Sequence, residues 1–196
     1  MKQHLRPALV ILAGLTLITG VLYPGAVTLA ASVLFSGRAA GSIVLRNGLP
    51  VGSRLIGQSF TDVGHFWGRP SATTPTPYDA EASSGSNLAI SNPVLGDSIA
   101  ARAARLRAAD PGNPAPIPAD LLTASASGLD PDISPEAAEY QVPRVARTRG
   151  VPAGVLRELV AASTTGRTLG IFGEPRVNVL LLNLALDSAA TARPAR

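Results

Sequence analysis

The strongest hydropathy feature of the chain is a run without any charged residue from Pro7 to Gly37, which is 31 residues long. About 20 helical residues suffice to cross the roughly 30 Å hydrocarbon core of a bilayer, so this run can span a membrane with some tilt. Pro24 lies inside the run and should kink or end the helix, which membrane helices tolerate. The pattern predicts an N-terminal membrane anchor helix over residues 1–36, followed by one domain over residues 37–196.

A cleaved signal peptide is the alternative interpretation of this run. A basic start and the small residues Ala30, Ala31 and Ser32 both fit such a peptide. Its apolar stretch usually has only about 7 to 15 residues, however, so the length favours a retained anchor.

The orientation of the anchor is weakly encoded. Basic residues flank the run on both sides, namely Lys2 and Arg6 before it and Arg38, Arg46 and Arg54 after it. A long C-terminal domain can translocate regardless of such charges, and the short N-terminal stub offers little to hold outside. We therefore expect a single-pass protein of the cell inner membrane with its domain outside the cytoplasm.

Small residues form a strip on the anchor helix. Ala13, Thr16 and Gly20 are spaced by three and four residues, so they share one helix face. Such a strip lets another membrane helix approach closely, although small residues are also common in membrane helices that have no partner.

The first part of the domain predicts a hairpin followed by a long loop. Residues 42–46 read as a strand, Asn47-Gly48 as a type I′ turn, and Leu49 onward as the returning arm, with Pro50 indicating an edge. Residues 57–93 are rich in Gly, Ser, Thr, Asn and Pro, which predicts an ordered functional loop, or several short elements, with disorder as the alternative.

Helices dominate the second part of the domain. One helix is predicted to start at an Asp97 or Ser98 cap and to end at Ala109, with its arginines on a solvated face. Ser134-Pro135 begins another helix, which should kink or restart at Pro143, and Pro152 begins a third. Residues 177–186 fit a strand or a helix. The sum predicts an α+β domain with several short helices and a small sheet.

Charge and composition exclude several classes of protein. The formal net charge is +4, but residues 1–61 hold five basic groups and no acid, so the rest of the chain is close to neutral. A nucleic-acid surface would need a concentrated basic face, which the domain does not supply. There is no Cys, the only Lys is Lys2, and the only imidazoles are His4 and His65, so a metal site on this chain is not expected.

Two catalytic or ligand-binding patterns are visible but weak. A membrane-anchored envelope serine hydrolase would use Ser125 or Ser127 with Asp130, and His65 as its base, although no G-x-S-x-G elbow is present. Gly85-Ser86-Asn87 offers small residues whose backbone N–H groups can approach an anion. Without a domain lysine and paired metal-binding carboxylates, a self-contained ATPase is not predicted.

Longer motifs resemble a known family. They begin with Arg6-Pro7-Ala8, Thr19-Gly20 and Tyr23-Pro24 in the anchor and continue with Leu55-Ile56-Gly57-Gln58. Gly68-Arg69-Pro70-Ser71-Ala72, Gly85-Ser86-Asn87-Leu88 and Ser91-Asn92-Pro93 follow. The densest match is Thr123-Ala-Ser-Ala-Ser-Gly-Leu-Asp-Pro131, and Asn183-Leu-Ala-Leu-Asp187 closes the set. In this order, the motifs resemble the C subunit of the bacterial Kdp potassium-transporting P-type ATPase.

The resemblance implies a non-catalytic subunit that assembles with an ATP-hydrolysing P-type subunit and a potassium-channel-like subunit. It also implies a catalytic chaperone that assists ATP use, with ATP shared with the ATPase subunit, and Gln141 matches the family position proposed to contact nucleotide. An outside domain and a cytoplasmic nucleotide are in conflict. The alternative is that the domain caps the outer mouth of the ion-carrying subunit and affects ATP use indirectly.

Overall fold

The structure is a computed structural model that describes residues 2–191, so the last five residues of the predicted domain, 192–196, lie outside the described residues. The chain forms two compact units that divide after Ile43. Each unit is described by itself below.

The first unit is one long apolar helix followed by a short turn of helix. It comprises α1 (Lys2–Leu17), a π-helical turn (Ile18–Leu22), α2 (Tyr23–Leu34) and α3 (Ser36–Ala39). Within residues 2–191, the continuous stretch Gln3–Leu34 is the one helix whose length and composition suit a membrane span. A single-pass membrane protein fits this architecture.

The helix does not end at Pro24. Proline has no N–H to give to the carbonyl four residues earlier, so a regular α-helix would leave that carbonyl unpaired. Just before the proline the chain widens into the π-helical turn, in which the Tyr23 N–H reaches the Ile18 carbonyl. The wider turn lets the helix continue past the proline.

The second unit opens with the predicted hairpin. Strands β1 (Ile43–Arg46) and β2 (Leu49–Ser53) pair with each other in a two-stranded sheet. Asn47 and Gly48 have φ angles of 54° and 79°, the left-handed values that a type I′ turn requires at both positions. The hairpin prediction is therefore confirmed.

Within residues 44–191, four helices and a three-stranded sheet complete the described part of the unit. The helices are α4 (Pro93–Ala109), α5 (Pro135–Arg149), α6 (Ala153–Ser163) and α7 (Val179–Thr191). Strands β3 (Asp132–Ile133), β4 (Thr164–Thr165) and β5 (Arg176–Asn178) form an antiparallel sheet in the order β3-β5-β4. Short 3₁₀ turns occupy Ala80–Ala82 and Ala119–Leu121. The mixed α+β class with a small sheet is confirmed.

Helix α5 is the centre of the core. Ala137, Ala138, Val142 and Val145 are fully buried on it, and Phe66, Leu156, Val177 and Leu182 pack in the same cluster. Because these side chains come from the long loop, from α6, from β5 and from α7, helix α5 joins these four elements in one core.

Two helix predictions differ from the structure, and the segment whose pattern fits both a strand and a helix is resolved. Helix α4 begins at Pro93 rather than near Asp97, because the Asn92 side chain accepts a hydrogen bond from the Val94 N–H and Pro93 suits the first turn. Helix α5 continues through Pro143 without restarting and ends at the left-handed cap at Gly150. Pro143 and Glu139, whose carbonyl loses its donor, are both exposed, so water can satisfy that carbonyl. Residues 177–186 contain both a strand and a helix, since β5 passes directly into α7.

Residues 57–93 contain only one short 3₁₀ turn, yet they are packed into the unit. Phe66 is fully buried, and Trp67 is only 8% exposed. The prediction of an ordered loop is confirmed over its central part, and disorder does not describe it.

Candidate functional site

Gln141 holds the backbone of Trp67 inside the core. Its side chain is 1% exposed, and its Oε1 accepts hydrogen bonds from the Trp67 N–H at 2.8 Å and from Arg144 Nη2 at 2.7 Å. Its Nε2 donates to the carbonyls of Trp67 at 3.1 Å and Ala137 at 3.2 Å. Two donors and two acceptor sites are the full capacity of a carboxamide. A nucleotide contact through this amide would require it to leave these partners.

Asn183 holds the backbone of Phe66, the residue before Trp67, by hydrogen bonds of the same kind. Its Oδ1 accepts from the Phe66 N–H at 2.9 Å, and its Nδ2 donates to the Phe66 carbonyl at 2.9 Å. Asn183 is 2% exposed on α7, whereas Gln141 is on α5. Two buried amides from two helices therefore satisfy two consecutive residues of a segment that has no regular secondary structure, and we call this pair the amide clamp.

Arg144 is a buried cation beside the clamp. It is 2% exposed, donates to the Val63 carbonyl and to Gln141, and its guanidinium carbon lies 4.4 Å from the centroid of the Trp67 ring. Desolvation lowers its pKa to about 10, so the side chain remains charged at neutral pH. Among the ion pairs found in residues 2–191, none involves Arg144, and amide and aromatic contacts stabilise its charge instead.

The motif segments that begin at Gly68 and at Thr123 are joined by Arg69. This side chain donates to the Thr123 carbonyl at 3.2 Å and pairs with Asp130 at 3.2 Å. Asp130 in turn accepts a hydrogen bond from the Asp132 N–H at 3.0 Å, at the start of β3. Nearby, burial raises the pKa of Tyr78 to about 12, and the phenol donates to the Arg69 carbonyl at 2.6 Å. These contacts give Asp130 a structural role.

The two candidate serines also stabilise the loop. Ser125 Oγ accepts from the Gly128 N–H at 2.9 Å, and Ser127 Oγ accepts from the Leu129 N–H at 3.2 Å. Gly128 has a φ of 68°, a left-handed conformation that favours glycine. The serines thus close a tight turn around Gly128.

The Gly85-Ser86-Asn87 segment approaches this turn. The neighbouring Ser84 N–H donates to the Ser127 carbonyl at 3.0 Å. A Cβ at Gly85 would lie 2.8 Å from the Ala126 carbonyl oxygen, so only glycine fits there without a shift. Ser86 and Asn87 are exposed. The structure therefore brings the candidate loop residues 85–87 and 125–130 together, as interlocked backbone.

His65 lies in a different cluster. Arg149 Nη2, a permanent donor, lies 2.6 Å from His65 Nε2, which also lies 3.3 Å from Asp187 Oδ1, and His65 Nδ1 lies 3.4 Å from Asp62 Oδ1. Arg149 also pairs with Asp187 at 2.9 Å, and Asp187 with Arg46 at 3.1 Å. Burial tends to raise the pKa of Asp187, but the hydrogen bonds from Arg46 and Arg149 outweigh it and leave this pKa below its usual value.

The structure does not support the serine hydrolase interpretation. A hydrolase needs its base within hydrogen-bond reach of its nucleophile. The contacts of His65 are to Asp62, Arg149 and Asp187, while Ser125 and Ser127 bond within their own turn. Sequence proximity to Asp130 suggested a triad that the fold does not assemble.

The remaining predicted site residues lie on the anchor. Ala13 and Thr16 are on α1 and Gly20 is in the π-helical turn, and all three are exposed. No group of three or more potential metal-ligating side chains occurs within residues 2–191.

Sequence reasoning missed Asn183 and Arg144 as site residues. Asn183 was visible as the one polar residue in an apolar run, which is the usual signal of a buried, hydrogen-bonded side chain. Arg144 had no comparable signal, because an arginine at the helical position after a proline usually faces solvent.

Comparisons with known proteins agree with the motif resemblance. A family model described as "KdpC: K+-transporting ATPase, c chain" matches residues 5–188. The chain is 64% identical over 188 residues to a potassium-transporting ATPase KdpC subunit of Polaromonas naphthalenivorans (strain CJ2), covering 96% of both chains. It is 60% identical over 193 residues to that of Variovorax paradoxus (strain S110), covering 98% of this chain and 100% of the relative.

Replacing Gln141 tests the amide clamp. Gln141→Met keeps the volume but leaves the buried N–H and carbonyl of Trp67 without partners, so we expect the free energy of unfolding to fall by about 2 to 4 kcal/mol. Gln58→Met is the control. The half-buried Gln58 amide gives one hydrogen bond, to the Val51 carbonyl, so about 1 kcal/mol is expected there. Chemical denaturation of the full chain in detergent measures the free energy of unfolding of both variants. Equal losses would contradict the role given to Gln141 in the amide clamp.

Gly128→Ala tests the interlocked loops. The alanine would have to adopt a φ of 68°, and its Cβ would lie 2.6 Å from the Ser84 carbonyl oxygen. We expect a loss of more than about 1 kcal/mol of unfolding free energy. Gly96→Ala, inside α4 and with open space around it, should instead stabilise by about 0.5 to 1 kcal/mol. Thermal unfolding measures the stability of both variants. If both substitutions stabilised the domain, or both destabilised it, the role given to Gly128 would be refuted.

Proposed function

Because the chain belongs to the KdpC family, the c chains of K+-transporting ATPases, we propose that it is a non-catalytic accessory subunit of an ATP-driven high-affinity potassium importer. In this role it assembles with an ATP-hydrolysing P-type subunit and a channel-like subunit that carries potassium. The observation that carries the proposal is the family match over residues 5–188, which includes both the apolar helix and the domain.

The polar side chains considered above stabilise the fold, which supports an accessory role for the chain. Ser125, Ser127 and Asp130 stabilise a loop, and the His65 ring contacts Arg149. Gln141 is saturated inside the core. Groups that are committed to the fold in this way are poorly placed to transfer protons or to act as nucleophiles.

The same contacts favour an indirect effect on ATP use. Gln141 is the residue that the family resemblance relates to nucleotide, yet its amide lies 1% exposed with four protein partners. We infer that Gln141 supports ATP hydrolysis by maintaining the shape of a domain that the pump needs. ATP would then bind to the ATPase subunit, and the catalytic chaperone effect would act through assembly.

Exposed apolar side chains offer surfaces for that assembly. Leu169, Ile171 and Phe172 are 84%, 72% and 64% exposed at the tip of the hairpin-like segment between β4 and β5. Apolar groups clustered at an exposed tip are typical of a protein contact. On the anchor, Ala13, Thr16 and Gly20 offer close approach to a helix of another subunit.

Cysteine labelling tests the proposed topology, which places the domain outside the cytoplasm and the N-terminus inside. The natural chain has no Cys, so one introduced thiol is unique. Ile90 is 98% exposed in the domain, and His4 is exposed before the apolar run. We expect Ile90→Cys to react with an impermeant maleimide in intact spheroplasts and His4→Cys only after lysis. The reverse pattern would place the domain in the cytoplasm and restore direct nucleotide contact.

Enlarging the small-residue strip tests assembly through the anchor. Gly20→Leu fills the strip, and a Cβ there would meet only the Thr16 methyl at 3.9 Å within the chain, so the isolated helix should tolerate it. Gly14→Leu is the control, because Gly14 lies on a different face with open space around it. We expect Gly20→Leu to reduce co-purification of the ATPase and channel-like subunits about tenfold, while Gly14→Leu has little effect.

In the Gly20→Leu preparation, potassium-stimulated ATP hydrolysis should fall together with co-purification, because fewer complete complexes are present. If the unaltered chain were purified from detergent without either partner subunit, the proposed function itself would fail. If it retained both partners and Gly20→Leu had no effect, only the docking face would be wrong.

A further inference from the structure

A small cavity lies beside Trp67 on the domain. Its volume is about 230 Å³, and residues 59–61, the loop after Trp67 and helix α4 line it. Its walls combine apolar groups, including Phe60 and Leu106, with the guanidinium groups of Arg102 and Arg105 and the hydroxyls of Ser59 and Thr61. This lining gives many hydrogen-bond donors and no carboxylate, and we call it the Trp67 cavity.

The two arginines of the cavity have no counter-ion. Arg102 and Arg105 are three residues apart on α4, so their side chains are neighbours on one face. No ion pair found within residues 2–191 includes either of them. By contrast, seven other arginines of the domain have a carboxylate oxygen at 2.7–3.2 Å, namely Arg46, Arg69, Arg147, Arg149, Arg157, Arg167 and Arg176. The cavity therefore concentrates positive charge that the protein itself does not neutralise.

Each arginine is held in place by contacts that leave donors free. Arg102 Nη1 donates to the Leu122 carbonyl at 2.7 Å, which uses one of its five N–H groups. The Arg105 guanidinium carbon lies 4.5 Å from the Trp67 ring centroid, a cation–π contact that orients it. Burial lowers the pKa of Arg102, in agreement with the absence of a carboxylate partner for this side chain within residues 2–191.

Other charges nearby do not neutralise the cavity. The buried Arg144 contacts the same Trp67 ring at 4.4 Å and adds a third positive charge. Of the nearby acids, Asp110 pairs with Arg147 at 2.7 Å, Asp130 pairs with Arg69 at 3.2 Å, and Asp62 accepts a hydrogen bond from the Gly64 N–H at 2.7 Å. These acids are committed to other partners, so an anion in the cavity would meet little opposing charge.

We propose that the Trp67 cavity binds a phosphate-type oxyanion. Two guanidinium groups offer paired N–H donors to the oxygens of a phosphate, and Ser59 and Thr61 line the same cavity with hydroxyls for which no protein hydrogen bond is found within residues 2–191. This number of donors exceeds what the two oxygens of one carboxylate can accept and suits a tetrahedral anion. The ligand is a phosphate group, whether free, on a lipid headgroup or on a nucleotide, and the site does not depend on the proposed assembly.

Phosphate binding to the full chain in a non-ionic detergent tests the proposal. The probe is inorganic phosphate, titrated against sodium chloride at matched ionic strength, with calorimetry and the thermal unfolding midpoint as readouts. The natural chain should show saturable binding and a midpoint that rises with phosphate. Arg102→Gln and Arg105→Gln should each weaken binding by about tenfold or more, since each removes charge-assisted hydrogen bonds.

The matched control is Arg107→Gln, the same change on the same helix. Arg107 is exposed and does not line the cavity, so its replacement should leave phosphate affinity unchanged. Arg102→Lys, which keeps the charge but not the paired donors, distinguishes lost binding from lost folding, because it should fold normally and still bind phosphate more weakly. A response no larger than that to chloride, or equal binding by the Arg102, Arg105 and Arg107 variants, would overturn the proposal.

Competition identifies the source of the phosphate group. Displacement of phosphate by short-chain phosphatidylglycerol, but not by phosphatidylcholine, would support a lipid headgroup. Displacement by ATP would support a nucleotide. If neither competes and inorganic phosphate still binds saturably, the free ion is the ligand.

Discussion

The domain depends on the need to satisfy buried backbone. Residues 65–68 cross the core without regular secondary structure, so their N–H and carbonyl groups have no strand or helix partners. An unpaired buried backbone group costs about 1 to 3 kcal/mol. Gln141 and Asn183 remove that cost for Trp67 and Phe66, as a neighbouring strand would, because each amide both accepts and donates.

The clamp also explains the position of the charged groups. Once the backbone of Trp67 is held, its ring lies where both Arg144 and Arg105 contact it. Arg144 is bound to the clamp through Gln141, whereas Arg105 comes from α4. One buried amide therefore sets the geometry of the core on one side and of the cationic cavity on the other. A substitution at Gln141 should therefore also alter the geometry of the cavity, because the Trp67 ring would no longer be held in place.

Local signals in the sequence predicted the elements that depend on local physics. Asn47-Gly48 predicted a turn because both residues tolerate positive φ, and Ser134-Pro135 predicted a helix start because a hydroxyl cap and a proline suit the first turn. The uncharged run predicted the long apolar helix. The sequence pattern predicts a start for α4 that is too late, because Asn92 and Pro93 also fit the end of the Gly- and Pro-rich loop that precedes the helix. A proline at position 143 predicts a kink or a restart, but α5 is continuous through this exposed residue, where water can satisfy the freed carbonyl.

Long-range pairing could not be predicted in the same way. Ser127, Asp130 and His65 have the composition of a hydrolase, yet each is satisfied by a different part of the chain, and a sequence does not show which. The Trp67 cavity has the same origin, since Arg102 and Arg105 appear as solvated charges on an amphipathic helix. The helical spacing makes them neighbours, but only the contacts with Leu122 and Trp67 place them in a cavity, and the sequence does not show these contacts.

The burial of Gln141 changes what its presence in the family motifs implies. A residue that contacts a nucleotide must expose at least one polar atom to it, whereas a residue that maintains a fold must not. Gln141 meets the second condition, with four protein partners and 1% exposure. Loss of Gln141 would nevertheless lower ATP use by a pump that requires the intact domain, so reduced activity alone does not distinguish contact from support. The two roles predict different effects on the stability of the domain. Only the supporting role requires the domain to become less stable when Gln141 is lost.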